Sequence, residues 1–177
     1  MLKSEIPFEV QSDRFLLKPL TVDDVTERYA GWLRDSLTSE YISSKLELAD
    51  LKVYVQERSG RTDVIFFGIF DRITGLHIGN IKFEPMNSDT GYTIMGILIG
   101  DPLWRGKGVA AEVLAASAEW LRKYHRIQQI ILGVSRTHIA AISAYQKVGF
   151  VEESTSYIPV VLPENMTMVW HLKQFSA

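Results

Sequence analysis

A glycine-rich turn with two basic residues, 105–110 (Arg-Gly-Lys-Gly-Val-Ala), offers the clearest chemistry in the sequence. It follows an apolar run and precedes a helical repeat, so it opens a helix. The first N–H groups of a helix have no partner within it, and the helix dipole adds partial positive charge there. Such a turn binds anions, phosphates above all. Gly106 and Gly108 let a ligand approach the backbone, and Arg105 and Lys107 add positive charge.

Two common phosphate motifs fit this turn poorly. A P-loop needs a Ser or Thr directly after its Gly-Lys pair, and here Gly108 follows Lys107. A dinucleotide fingerprint, G-x-G-x-x-A, does match 106–111, but its glycines should follow the strand at once, and residues 101–105 intervene. The next strand closes on 132–136 without the acidic residue that would hold a ribose. A nicotinamide-dependent oxidoreductase therefore stays only as a rival hypothesis.

A third interpretation fits better, because the turn resembles the Arg/Gln-x-x-Gly-x-Gly/Ala pyrophosphate loop of the GNAT N-acetyltransferases. The stretch "ISAYQKVGFVEE", 142–153, is similar to a second motif of that family, at family-like spacing. The stretch "FLLKPLTVDDVTERYAGWLRD", 15–35, resembles the opening of the branch that includes ribosomal-protein N-terminal acetyltransferases and small-amine relatives. The resemblance covers about residues 15–172.

The resemblance implies a function and a fold. The function is transfer of an acetyl group from acetyl-CoA, the cosubstrate, to a primary amine by direct attack. The alternative is a non-catalytic acyl-CoA-binding or sensor module of the same fold. The expected fold class is α/β (α+β), a mixed, mostly antiparallel and centrally splayed sheet with helices on both faces, in a single domain over residues 1–177.

The residues expected to bind the cosubstrate follow from matching the family motifs. The strand before the turn would pair with the pantetheine arm, the turn would hold the pyrophosphate, and a histidine stands where the family usually has an asparagine. The expected contacts are Leu98, Ile99, Gly100, Arg105, Gly106, Lys107, Gly108, Val109, Ala110, His138 and Tyr145.

Tyr145 and Glu84 are the predicted catalytic residues. Tyr145 matches a tyrosine that in the family protonates the leaving thiolate, and a phenol with a pKa of about 10 is a reasonable donor to a thiolate formed at about 8.5. The other interpretation is that Tyr145 only packs on the sheet. Many relatives carry at this point of the strand a glutamate that acts as the general base, and here the residue is Ile94. Glu84 is therefore the first candidate to accept the amine proton in its place.

Three further proton acceptors are Asp89, Asp101 and His77. Each has a simpler interpretation as a surface charge or a turn residue. Transfer through ordered water, or no dedicated base, also fits the sequence.

The elements that must hold these residues follow from hydrophobic periodicity, which predicts the order β-α-α-β-β-β-α-β-α-β-β. The predicted strands are 15–17, 64–70, 77–83, 91–100, 127–134, 156–163 and 166–175. The first predicted helix has its N-cap at Thr21 and ends at about Leu33. A second helical region is broken near Ser43 and Ser44, and its buried face is formed by Leu48, Leu51, Tyr54 and Val55. Two further helices are predicted over 108–125 and 137–149.

The N-terminal helices would wall the acceptor pocket. Their aromatic residues Trp32, Tyr41 and Tyr54 could line that pocket or form core. The charged residues Glu27, Arg28, Arg34 and Asp35 are expected on a solvated helix face.

Composition limits the class of protein and its partners. The chain has 177 residues, a formal charge of −2 and no cysteine. We therefore expect no nucleic-acid partner, no disulfide, no thiolate nucleophile and no metal site. No apolar run is long enough for a membrane span, so we expect no membrane partner and a cytoplasmic protein.

The partner expected instead is a small-molecule or peptide amine acceptor. A peptide N-terminus, an amino sugar, a polyamine and an amino acid all stay open. The final strands could support a homodimer.

Overall fold

In the computed structural model, residues 7–35 and 47–173 are described, and they form one eight-stranded sheet with helices on both faces. The spatial order of the strands is β1-β2-β3-β4-β5-β6-β8-β7. Their bounds are β1 Val10–Gln11, β2 Phe15–Pro19, β3 Ile65–Asp71, β4 His77–Asn87, β5 Tyr92–Ile99, β6 Gln129–Ser135, β7 Val151–Glu152 and β8 Asn165–His171.

Four α-helices occur in the described ranges: α1 Glu27–Arg34, α2 Leu48–Ser59, α3 Val109–His125 and α4 Ile139–Val148. Single turns of 3-10 helix, Val22–Asp24 and Pro102–Trp104, precede α1 and α3. None of the helices in the described ranges combines the length and the hydropathy that crossing a bilayer requires.

The sheet is antiparallel except at its centre, where β5 and β6 are parallel. These two strands pair only from Tyr92–Gln129 to Ile94–Ile131 and then diverge. We call the gap between residues 95–99 of β5 and 132–135 of β6 the opening. Its presence confirms the predicted mixed, mostly antiparallel and centrally splayed sheet.

Two apolar cores lie on opposite faces of this sheet. The larger one, on the α3–α4 face, includes Met95 of β5 and Val113 and Leu114 of α3. The smaller one, on the α1–α2 face, includes Leu51 and Val55, and Leu98 of β5 packs against it. Because side chains alternate along a strand, Ile94 and Gly96 share the α1–α2 face with Leu98.

The first helix begins later than predicted. Asp24 accepts from the N–H and the hydroxyl of Thr21, both at 2.9 Å, and so closes a separate 3-10 turn. The helix then starts afresh after Thr26, whose hydroxyl accepts from the N–H of Tyr29 at 3.4 Å. Two consecutive polar caps therefore divide one predicted helix into a turn and a shorter helix.

The predicted strand 156–163 is wrong, because the segment is a loop. Pro159 and Pro163 lack the N–H that a ladder requires, and Val160 is 80% exposed. Instead, β8 pairs with the short strand β7. The ring of Tyr157 stacks on Tyr92 with centroids 3.6 Å apart, so the segment reaches the start of β5.

Some predictions fall partly or wholly outside the described residues. Ser43, Ser44, Tyr41 and the last residues of the predicted strand 166–175 lie there. The short strand β1, by contrast, is described but was not predicted.

Candidate active site at the opening between two strands

The opening exposes backbone groups of β5. The N–H of Gly100 donates to Ile78 of β4 at 3.0 Å. Since successive residues of a strand direct their backbone groups to alternate sides, those of Ile99 and Ile97 point toward the opening. An extended ligand there has a strand edge with which to pair.

The glycine turn lies directly beyond the end of β5. Gly106 and Gly108 have φ values of 71° and 73°, a region that favours glycine, and α3 begins at Val109. A Cβ built on Gly106 would meet no atom within 4 Å, so the space above the turn is open. Backbone in this conformation, at a helix N-terminus, suits a phosphate group.

Arg105 ties this turn to β5. Its Nε donates to the carbonyl of Ile99 at 3.1 Å, and its Nη2 donates to the carbonyl of Gly100 at 3.0 Å. Its Nη1 lies 3.7 Å from Oδ2 of Asp35. These contacts fix the position of the turn, and the expected contact of Arg105 with the cosubstrate stays a prediction.

Arg14 and Glu112, which no sequence motif indicates, support the turn from the other side. Nη2 of Arg14 donates to the carbonyl of Lys107 at 3.0 Å, and its Nε donates to Glu112 at 2.7 Å. Glu112 also accepts from the hydroxyl of Ser12 at 2.6 Å. Burial alone would raise the pKa of Glu112, but Ser12 and Arg14 outweigh it and lower that pKa. No local pattern could reveal a pair 98 residues apart.

Asp101 is a buried structural carboxylate. Its Oδ1 accepts from the N–H of Leu103 at 2.9 Å, and its Oδ2 accepts from Nη2 of Arg28 at 2.5 Å. Its side chain is 6% exposed. Arg28 is exposed, as expected of a solvated helix face, but it also pairs with Asp101, and the half-buried Asp35 at the end of α1 lies beside Arg105.

Tyr145 and His138 both belong to the segment that follows β6. His138 precedes the first residue of α4, and its N–H donates to the carbonyl of Ser135 at 3.0 Å. The ring of Tyr145 lies 5.7 Å from that of Phe150, and burial raises the pKa of the Tyr145 phenol to about 12. The expected contacts of both residues with a cosubstrate stay predictions.

Glu84 lies in a bulge of β4. Between the pairs Phe83–Met95 and Met86–Thr93, Glu84 and Pro85 together oppose Ile94, the residue at the position of the missing glutamate.

The carboxylate of Glu84 is held by three cations. Arg58 lies at 3.1 Å, Arg61 at 2.6 Å and Lys82 at 3.0 Å. Burial would raise the pKa of this carboxyl, but Lys82 and Arg58 outweigh it and lower the pKa. A carboxylate stabilised in this way is a weak proton acceptor, so these contacts disfavour the predicted role.

The two other predicted proton acceptors, His77 and Asp89, lie in different surroundings from each other. His77 is enclosed by aromatic rings, with Phe70 stacked at 4.8 Å and Trp32 at 5.0 Å, and its Nε2 lies 2.8 Å from Oδ1 of Asn80. Burial lowers the pKa of His77. Asp89 is exposed in the turn between β4 and β5.

Two glycines form the floor of the opening on the α1–α2 face. Gly96 and Gly133 each lie two residues beyond the last β5–β6 pair, Ile94 and Ile131. A Cβ on either glycine would meet no atom within 4 Å. We call this pair the glycine floor. Lys82 of β4 is the residue paired with Gly96.

The family model of the acetyltransferase (GNAT) domain matches residues 14–151. No curated protein sequence gives a significant match.

Three solved structures of similar fold are described as acetyltransferases. An acetyltransferase of the GNAT family from Bacillus anthracis has a TM-score of 0.78 and 17% identity, covering 94% of this chain and 99% of its own. The spermidine N-acetyltransferase from Vibrio cholerae, solved with CoA and spermine, has a TM-score of 0.77 and 18% identity over 90% and 96%. The aminoglycoside acetyltransferase AAC(6')-Ib, solved with paromomycin and acetyl-CoA, has a TM-score of 0.73 and 22% identity over 90% and 94%.

Proposed function

The chain belongs to the GNAT acetyltransferase family, and from that premise we propose that it transfers the acetyl group of acetyl-CoA to a primary amine. The observation that carries the proposal is the opening between β5 and β6, which lies beside a positive-φ glycine turn at the start of α3. A thioester with a phosphate-bearing tail needs both features at once, a strand edge for the arm and a helix N-terminus for the phosphates.

Acetyl-CoA fits the described residues as a cosubstrate. The pyrophosphate would accept from the backbone N–H groups of 106–110, with Lys107 adding charge. The pantetheine arm would pair with Ile99, beside Leu98 and Gly100, and His138 would contact it from the start of α4. Solved structures of the spermidine and aminoglycoside enzymes with CoA or acetyl-CoA bound support this assignment.

The proposed reaction is direct attack of the amine nitrogen on the thioester carbonyl. A C–N bond forms, the C–S bond breaks, and the CoA thiolate leaves. A backbone N–H near Ile99, that of Ile97 beside Gly96, would donate to the carbonyl oxygen as negative charge develops there, the usual way in which a backbone donor lowers such a barrier. The thiolate then takes a proton from Tyr145.

The raised pKa of Tyr145 is compatible with that role. A pKa of about 12 keeps the phenol protonated at neutral pH, so the donor is always present. The same burial disfavours a thiolate beside it and raises the pKa of the thiol product as well. Proton transfer therefore takes place between a phenol and a thiolate whose pKa values are both raised by burial.

Removal of the amine proton is assigned to water. Glu84 is ion-paired, Asp101 is paired with Arg28 and His77 is enclosed by rings. An amine that reaches the glycine floor from solvent loses its proton before attack, so the rate should rise with pH until the free amine predominates.

The second candidate function is a non-catalytic acyl-CoA-binding or sensor module. Ile94 at the position of the family glutamate, together with the ion-paired Glu84, favours it. The two functions differ in one measurable respect, since only the enzyme consumes the thioester in the presence of an amine.

The first test is calorimetric titration with acetyl-CoA, with NADH as the comparison ligand. We expect saturable binding of acetyl-CoA that is lost in Gly108→Trp. Gly75→Trp is the matched control, because Gly75 has the same backbone conformation, φ 71°, in the distant β3–β4 turn. Binding of NADH instead of acetyl-CoA would refute the proposal and revive the dinucleotide interpretation.

The second test separates the enzyme from the sensor by following release of free thiol with a panel of primary amines. In Tyr145→Phe we expect kcat to fall by about 100-fold, at the low end for loss of a general acid, with the affinity for acetyl-CoA unchanged. An unchanged kcat would leave Tyr145 with a packing role. Tight binding without thiol release in any amine would favour the sensor.

A further inference from the structure

A cluster of five charged side chains lies on the α1–α2 face, where β4 meets α2. Glu84 is its centre, bound by Arg58, Arg61 and Lys82, and Arg61 also pairs with Asp63 at 2.7 Å. We call these five residues the charged cluster. It holds three cations and two carboxylates, so it carries one net positive charge.

Lys82 brings that charge to the edge of the opening. Its partner on β5 is Gly96, half of the glycine floor, so the β5 residue directly opposite Lys82 has no side chain to cover it. Its Nζ donates to the hydroxyl of Tyr54 at 2.7 Å, which holds it on the α1–α2 face. An ammonium group has three donors, and Tyr54 and Glu84 account for two of them.

The ring of Tyr54 links Lys82 to the rest of the cluster. The guanidinium of Arg58 lies over this ring at 3.6 Å, and the ammonium of Lys82 lies 5.3 Å from its centroid. Arg58 therefore lies over the face of the ring, whereas Lys82, bonded to the hydroxyl, lies beyond the edge of the ring. Such an arrangement keeps both charges in fixed positions, and a fixed charge recognises an ionic ligand better than a mobile one.

Granted the proposed acetyl transfer, we propose that the acceptor amine carries an anionic group, a carboxylate or a phosphate, and that Lys82 binds it. The amine nitrogen would sit over the glycine floor at the opening. The anion would lie within about 10 Å of that nitrogen, roughly two strand spacings away on the β4 side. An amino acid and a phosphorylated amino sugar both meet this description.

Polycationic acceptors fit this surface poorly. Spermidine and aminoglycosides carry several ammonium groups, and those not reacting would meet Lys82, Arg58 and Arg61. Like charges held close together repel and so weaken binding. The acceptor class of this chain therefore differs from those of the spermidine and aminoglycoside enzymes that share its fold.

The experiment compares acceptors in matched pairs that differ only in the anion. Phenylalanine is compared with phenethylamine, glucosamine 6-phosphate with glucosamine, and spermidine serves as the polycation. We expect the anionic member of at least one pair to have a kcat/KM about tenfold or more above its partner, mostly through KM. The pair that responds identifies the anion as carboxylate or phosphate.

Variants test whether Lys82 causes the preference. Lys82→Met keeps the length of the side chain and removes the charge, and it should abolish most of the preference while leaving the affinity for acetyl-CoA unchanged. Lys82→Arg should retain the preference. Lys52→Met, at an exposed position of α2, removes an equal charge away from the opening and should change nothing.

Titration with acetyl-CoA separates this inference from the proposed function. If acetyl-CoA binds and amines react without any preference for an anion, or if spermidine reacts best, the inference fails and the proposed function stands. If Lys82→Met lowers kcat/KM equally for both members of a pair, its role is structural and the inference also fails. If no amine reacts, the pairs are compared by binding to the CoA complex, where equal affinities overturn the inference. If acetyl-CoA itself does not bind, the proposed function is wrong, and the inference that depends on it fails as well.

Discussion

The two sides of the opening are built in different ways. On the side proposed for the cosubstrate, Arg105, Arg14 and Asp101 each fix the glycine turn or the strand end by at least two hydrogen bonds. On the side proposed for the acceptor, Gly96 and Gly133 leave open space, and charge is concentrated at its border. The comparison indicates that the first half is held in place by hydrogen bonds, while the second half is open space beside charged side chains.

Of the substitutions that test this difference, Gly100→Ala should have the largest effect. A Cβ at this position would lie 2.0 Å from Cδ2 of Trp32, so Gly100→Ala should displace the indole from its core. We expect a loss of about 2–3 kcal/mol in the free energy of unfolding, the upper part of the range for overpacking. Urea denaturation measures it, and a loss below about 0.5 kcal/mol, the level of a neutral surface change, would show that the end of β5 is not rigid.

Removal of the charge on Glu112 should produce a smaller effect on the same side. Glu112→Gln leaves Arg14 without its carboxylate partner, so the turn at Lys107 loses part of its support. Because the pair is partly exposed, we expect a loss of only about 1 kcal/mol in stability at pH 7, together with weaker binding of acetyl-CoA by calorimetry. Ser59→Ala, at an exposed site distant from the turn, is the control.

The same variant has a pH signature. The pKa of Glu112 is lowered in the folded protein, so its stabilising contribution is present above the pKa of the unfolded chain, about 4.3, and is lost as pH falls through the lower folded value. The stabilities of the wild type and of Glu112→Gln should therefore converge on acidification. A constant difference down to pH 3 would contradict this account.

Gly96→Ala should have the smallest effect on stability, which would distinguish the open glycine floor from the packed end of β5. The added methyl group enters open space, so we expect a change in stability within about 0.5 kcal/mol. The affinity for acetyl-CoA should be unchanged, while kcat/KM falls for bulky acceptors more than for small ones. A destabilisation equal to that of Gly100→Ala would mean that both glycines serve packing.

The sequence predicted the glycine turn but not the contacts that hold it in place. The turn at Gly106 and Gly108 and the start of α3 depend on neighbouring residues, and a glycine pattern reports them directly. The contacts that hold the turn in place join residues far apart in the chain, and Arg14–Glu112 has no local signature. The turn was therefore predictable, whereas its supports were not.

The misassigned elements show the same limit. Residues 156–163 alternate like a strand, but two prolines and the lack of a partner strand leave them as a loop. Residues 21–33 have helical spacing, yet two successive caps divide them. Glu84 was proposed as a base from its place near the end of a strand, and only the folded chain brings Arg58 and Arg61 to it.

The divergence of β5 from β6 also has a consequence for solubility. Beyond Ile94, the described residues give β5 no strand partner on that side, so an edge lies in the interior of the sheet. Exposed edges normally invite pairing with another molecule and aggregation. Here both flanking strands and the helices on each face recess the edge, so a folded neighbour cannot align a strand beside it. Arg105 also donates to the carbonyl of Ile99 at this edge, so the protein keeps only a short unpaired stretch of strand, at a place that other folded molecules do not reach.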